Sequence, residues 1–163
     1  MRKRLLMMAV MASALCALPA NAQNRSQIDA VRRGQSCPGC NLFQGDFSML
    51  ERNGINLSNA RLRQSNLSLG TFNRARLEGA DMRDVDAYGA VFTRARLNGA
   101  NLENASLVGA YFQGASFAGA NLAGANLSGA DLTGASGLTQ TQLNRACGDE
   151  STRLPSGLRI QAC

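Results

Sequence analysis

The chain has 163 residues, enough for one domain, and its formal net charge is +6 with 17% charged and 45% hydrophobic residues. It contains no histidine, and Lys3 is its only lysine. Ser-His and Cys-His nucleophilic pairs are therefore excluded, and the commonest general base and metal ligand near neutral pH is missing.

At the amino terminus Met1-Arg2-Lys3-Arg4 precedes an apolar stretch from Leu5 to Leu18, which ends in Pro19-Ala20-Asn21-Ala22. This is the pattern of a secretory signal peptide over residues 1–22, with a small-x-small cleavage site after Ala22. The apolar run falls short of the ~20 residues that a membrane span requires. Cys16 suggests a lipoprotein signal as the alternative, but Leu15 stands before it where such signals carry a small residue. Cleavage removes three basic and no acidic residues, leaving fourteen against eleven and a net charge of +3. The expectation is a periplasmic or secreted protein with no stable membrane insertion after cleavage. The prior for a strongly basic protein largely disappears, and Lys3 is lost with the signal.

Residues 23–39 form an amino-terminal segment. Ser26 is the expected N-cap of a short helix through Arg33, ended by Gly34, with Ile28 and Val31 facing inward. A frayed tail is the alternative for so polar a stretch. Four cysteines remain in the mature chain, Cys37, Cys40, Cys147 and Cys163, an even number that is expected to form disulfides outside the cytoplasm. Cys37-Pro38-Gly39-Cys40 has three readings: a structural bridge or turn, a thiol-disulfide redox motif, and pairing with another molecule. Pro-Gly suits the middle of a type II turn. The redox reading needs a strand-helix context and a lowered thiol pKa, whereas this motif runs straight into the periodic part of the chain.

From Leu42 to Leu132 every fifth residue is apolar with one exception, Arg52. Two positions before each lies a second column, which is alanine without interruption from Ala90 to Ala130. A period of five fits neither a helix nor a strand. The unit A-(N/D)-L-x-x, as in Ala120-Asn121-Leu122-Ala123-Gly124 and Ala125-Asn126-Leu127-Ser128-Gly129, resembles the pentapeptide-repeat family over residues 40–136. The resemblance implies an all-β fold, a right-handed quadrilateral parallel β-helix in which four pentapeptides make one coil of about twenty residues. Short capping helices are expected at its two ends.

The sequence tests the twenty-residue coil independently. Phe72, Phe92 and Phe112 are twenty apart, and Phe72-Asn73-Arg74-Ala75-Arg76-Leu77 nearly repeats as Phe92-Thr93-Arg94-Ala95-Arg96-Leu97. Like side chains would then stack in ladders. Just under five coils at ~4.8 Å each give a rod roughly 24 Å long.

Residues 137–163 form the closing segment. Leu138-Thr139-Gln140-Thr141-Gln142-Leu143 carries a capping-box signature, Thr139 as N-cap and Gln142 at N3, so a short helix is expected from Gln140 to about Cys147-Gly148. A Cys147–Cys163 bridge would fold the aperiodic tail back over the last coil. The stretch from Ala146 to Leu158 also resembles the ending of many bacterial pentapeptide-repeat proteins. A four-cysteine zinc site would need the two ends of the rod to meet, and no cofactor is expected.

On the outside, Arg74 stacks with Arg94, Arg76 with Arg96, and Arg63 with Arg83. These six arginines are the candidate patch for an anion, glycan or protein partner, set against the plainer reading of a solvated face near Glu78, Asp81, Asp84 and Asp86. Like charges ~5 Å apart repel by about 1 kcal/mol even in water. The carboxylates project from a convex rod with no cleft to tune them, so no enzyme is expected. The leading functional reading is an exported, non-enzymatic scaffold or protein-interaction module, with a homodimer through a solenoid end as a further option. The resemblance also raises DNA mimicry that protects topoisomerases, but that role needs an acidic surface in the cytoplasm; no nucleic-acid partner is expected. A thiol-disulfide protein using Cys37 and Cys40 is the other alternative.

Overall fold

The computed structural model describes residues 23–163; the signal segment and the cleavage site at Ala22 lie outside the described residues. Successive pentapeptides form the sides of a four-sided parallel solenoid. Its register is twenty residues on every side, as in the bridges Asn41↔Arg61, Asp46↔Asn66, Glu51↔Thr71 and Asn56↔Arg76. The all-β expectation takes an unusual form, because the repeat contains isolated one-residue bridges in place of extended strands. Each side turns a corner after five residues, so only one residue per side stays in the bridging geometry. Backbone groups are nevertheless paired coil to coil: Leu62 N–H donates to Asp81 C=O at 2.8 Å and Asp81 N–H to Ala60 C=O at 2.9 Å. This satisfies the main chain without long strands.

The two inward columns make the core. Every central residue from Leu42 to Leu132 is buried except Arg52, and the alanine column is buried throughout. Phe92 stacks between Phe72 and Phe112 with ring centroids 5.5 and 5.2 Å away, and Phe117 meets Phe112 edge-on at 5.2 Å. Ser65, a polar member of the small column, is 1% exposed and donates its hydroxyl to Leu42 C=O at 2.9 Å. Arg52 escapes the bore at the first coil, where no coil lies beneath it. Its Nε donates to Val31 C=O at 3.0 Å, tying the end of the first helix to the solenoid.

That helix, α1, spans Arg25–Arg32, with Ile28 and Val31 buried in the core. Its cap is Asn24, not Ser26: the Asn24 side chain accepts from Gln27 N–H at 3.3 Å, and Ser26 donates its hydroxyl to the same oxygen at 2.8 Å. Asparagine satisfies the free N–H groups of the first turn, and Ser26 falls inside that turn. Gln27 in turn accepts Asn41 N–H, an edge group of the first coil, at 2.8 Å. Asn24→Ala is expected to cost about 1 kcal/mol, read as a lower unfolding midpoint, whereas Ser26→Ala should change it by less than about half that. The reverse order would return the cap to Ser26.

At the other end α2 spans only Gln140–Leu143. Its capping box is formed as expected, Thr139 accepting from Gln142 N–H and Gln142 accepting from Thr139 N–H. The helix stops well short of Cys147-Gly148, which instead form β1 and pair in parallel with β2, Gln161–Ala162. The reason is competition for the last coil's edge. Leu127 N–H donates to Cys147 C=O at 2.8 Å and Leu132 N–H to Arg153 C=O at 2.8 Å, bonds that a longer helix would forfeit. The coil ladder thus continues past the repeat, and the tail closes the edge that an isolated repeat leaves open. Among the described residues no helix is long and apolar enough to cross a membrane.

Candidate functional site

Cys37 and Cys40 are bridged to each other, and so are Cys147 and Cys163, with Cα atoms 5.5 and 4.7 Å apart respectively. The first pair lies inside the coil register. Cys37 N–H donates to Asn56 C=O at 2.9 Å and Gly39 N–H to Ser58 C=O at 2.8 Å, so Cys37 takes the central inward position and Cys40 the small one. Gly39, with φ +70°, makes the corner. The motif is one more side of the solenoid, with a disulfide where other sides carry leucine over alanine. No helix follows it to activate a thiolate.

The six candidate arginines do not act as one patch. On one face, Arg83 holds Asp81 through two hydrogen bonds of 2.7 Å, and Arg63 Nε reaches Asp84 at 3.2 Å. Arg83 is pushed up from its ordinary value by the Asp81 hydrogen bonds and charge. On the next face Glu78 sits between Arg96 at 2.7 Å and Arg76 at 4.0 Å and accepts from the Ser58 hydroxyl at 2.9 Å. Burial works to raise the Glu78 carboxyl, but its backbone hydrogen bond, Ser58 and the two arginines outweigh it and hold the pKa below 4.5. Both clusters follow from geometry: residues two apart in one pentapeptide, Asp81 with Arg83 and Arg76 with Glu78, leave the same face. Four of the six arginines thereby face carboxylates, with Glu78 shared between two of them.

Arg74 and Arg94 remain. They occupy one corner column, Gly54-Arg74-Arg94-Gly114, in left-handed backbone with φ of 70°, 56°, 57° and 66°. Their side chains are exposed and enter no hydrogen bond or ion pair among the described residues. They line a surface groove of about 530 Å³ together with Asn53, Gly54, Asn73, Val91 and Thr93, and no carboxylate lines it.

The groove has a backbone donor as well. On sides that carry Asn or Asp, that side chain accepts the N–H two residues on, as Asn66 does from Ser68 and Asp86 from Tyr88. Val91 stands in that position before Thr93, so the Thr93 N–H donates to no protein group among the described residues. Asn73 N–H turns to Asn53 Oδ1 at 3.2 Å, and Asn73 Oδ1 is buried without a partner. The arginines are legible in the sequence and these neighbours are not; the available signal is that Thr71 and Val91 stand where Asn66 and Asp86 cap the next amide.

The paired carboxylates set the acid response. Asp131 is held below 3.8 chiefly by hydrogen bonding to Thr133, with Gln113 and the Arg153 charge adding to it against burial; Asp81 is held below 3.8 chiefly by Arg83. A carboxyl depressed in the folded state stabilises above its unfolded pKa and loses that contribution as pH falls through the folded value. No histidine is present to titrate between pH 5 and 8. The unfolding midpoint should therefore be flat from about pH 7 to 5 and fall below about pH 4. A decline already between pH 7 and 6 would contradict this assignment. Among the described residues no group of three or more His, Cys, Asp or Glu is placed to hold a metal ion.

These features define a solenoid repeat protein. Residues 55–94 and 95–134 match the family model of pentapeptide repeats in eight copies, and the chain is a pentapeptide-repeat protein. Among solved structures it is similar to HetL, a pentapeptide repeat protein involved in heterocyst differentiation regulation from the cyanobacterium Nostoc sp. strain PCC 7120, at 25% identity and a TM-score of 0.34. That match covers 78% of this chain and 60% of HetL. It is also similar to Rfr23, a pentapeptide repeat protein from the cyanobacterium Cyanothece 51142, at 26% identity and a TM-score of 0.35 over 80% of this chain and 98% of Rfr23. QnrB1, a plasmid-mediated fluoroquinolone resistance protein, matches at 22% identity and a TM-score of 0.37 over 75% of this chain and 77% of its own. Likeness at this level says nothing of a shared role, and the chain spans only about three fifths of HetL. Among curated proteins none matches.

Proposed function

We propose that the protein is an exported, non-enzymatic binding scaffold that recognises an anionic partner on the side of its rod. The observation that carries this reading is the groove at Arg74 and Arg94, which no carboxylate lines while the neighbouring arginines face carboxylates. The amino-terminal signal pattern and the even set of paired cysteines support export. A net charge of +3 after cleavage argues against imitation of DNA.

The test uses the exported protein, crosslinked in place and recovered from the periplasmic fraction and the medium. A specific partner should be retained by wild type and by Arg76→Gln/Arg96→Gln, and lost in Arg74→Gly/Arg94→Gly. Recovery of the same partner by all three proteins, or of none by any, refutes the proposal.

A further inference from the structure

We infer that Arg74, Arg94 and the Thr93 N–H form a binding site for a dianionic phosphoryl group. The inference rests on the binding role proposed above and names the chemistry that the groove selects. Three observations bear on it: charge, donor geometry and backbone.

Arg74 and Arg94 leave adjacent coils, whose backbones lie ~4.8 Å apart, and line one groove. Each has five N–H donors and no acceptor, and neither has a protein partner among the described residues. A carboxylate carries one charge and would leave one guanidinium unmatched, whereas a phosphate monoester carries about −1.5 to −2 near pH 7. Its three oxygens can take a bidentate contact from each arginine, with a further acceptor position for an N–H. The Thr93 amide supplies that N–H: Val91 cannot close it as Asn66 and Asp86 close the amides of Ser68 and Tyr88, and Thr93 lines the groove beside both arginines. Glu51, the acidic residue on the same face, accepts from Asn53 Nδ2 at 3.1 Å and does not line the groove.

The backbone places both arginines at corners where seven other non-glycine residues also adopt left-handed φ. Both arginines sit at left-handed φ, the conformation that glycine adopts freely. Three of the polar non-glycine corners have side-chain partners. Gln44 hydrogen-bonds Gln64 at 3.2 Å, and Asp84 accepts from Arg63. Arg74 and Arg94 combine the strained conformation with like charge at one-coil spacing. Gly54 below adds no side chain to the corner, and the Arg94 side chain extends over Gly114 above.

The experiment is titration of the oxidised mature protein, residues 23–163, at low ionic strength, followed by the Thr93 amide resonance and by calorimetry. The probes are inorganic phosphate, glycerol 1-phosphate and acetate, with vesicles of phosphatidic acid or phosphatidylcholine in parallel. Phosphate and glycerol 1-phosphate should shift the Thr93 amide, and phosphatidic acid vesicles should bind instead if the group is displayed on lipid; either result supports the site. Arg74→Gly/Arg94→Gly should weaken that binding by about 100-fold, with its fold secured by the glycines already present in the same column. Arg76→Gln/Arg96→Gln should leave it within about threefold, since Glu78 already occupies those arginines. Acetate binding as tightly as phosphate overturns the phosphoryl assignment while leaving an anion-binding corner. Absence of any shift, with partner recovery still dependent on Arg74 and Arg94, overturns it too and leaves the scaffold reading intact. Partner recovery that is indifferent to both arginines removes that reading as well.

Discussion

Phe92→Ala is expected to lower the free energy of unfolding by about 4 kcal/mol. The ring is 0% exposed and lies between Phe72 and Phe112 in the bore, so truncation removes two stacking contacts and opens a cavity across the middle coils. The cavity has little means of collapse. Phe72 N–H donates to Val91 C=O and Phe92 N–H to Tyr111 C=O, both at 2.7 Å, which fixes the coils on either side at their spacing. In a solenoid, stability is the sum of each coil and its contacts with its neighbours. A central defect therefore weakens two interfaces together. Denaturant unfolding should show a lower midpoint with an unchanged slope. A loss below about 1 kcal/mol would mean that the bore is not close-packed at this level.

Serine at both Cys147 and Cys163 is expected to cost about 3 kcal/mol and to promote self-association. The bridge spans a sequence separation of 16 and holds the tail that supplies Cys147 C=O and Arg153 C=O to the last coil. Freed, the tail would expose those N–H groups and the end of the bore, an edge that invites pairing with another copy. Light scattering against concentration and the denaturation midpoint read the two effects. The Cys37–Cys40 bridge closes a separation of only 3, so serine at both positions should cost clearly less. Equal losses for the two pairs would show that loop closure is not what the carboxy-terminal bridge contributes. The same geometry bears on the option of a homodimer through a solenoid end. In the described chain α1 covers the first coil and the tail pairs with the last, so such a dimer requires one of these segments to move.

Some of this architecture could be read in advance and some could not. Phe72, Phe92 and Phe112 announce a twenty-residue coil because one bore must be filled by like side chains at like positions, a steric demand that repeats with the chain. Arg52 breaks the apolar column because it lies against the last turn of α1, where its Nε donates to the Val31 carbonyl. Ser26 was an acceptable cap by type, but Asn24 lies where the chain meets the helix; one residue type says little when two candidates stand two positions apart. The capping box at Thr139 was legible because it is a local exchange of hydrogen bonds. The end of α2 was not, because the last coil captures Cys147 and Arg153.

The arginines divide in the same way. Their stacking followed from period twenty alone, and the Arg76-x-Glu78 and Asp81-x-Arg83 pairs were open to the same reasoning, since alternate residues of one side face the same way. Reach across coils was not: Glu78 takes Arg96 as well as Arg76, and Arg63 turns to Asp84. By itself the sequence determined the periodic solenoid, its inward columns and the exclusion of histidine chemistry, because each is a local requirement multiplied along the chain. Only the tertiary structure decided which side chains close the ends and which two of the six candidate arginines keep their donors free. Those outcomes depend on distances between residues far apart in the chain, where a single competing partner changes the result.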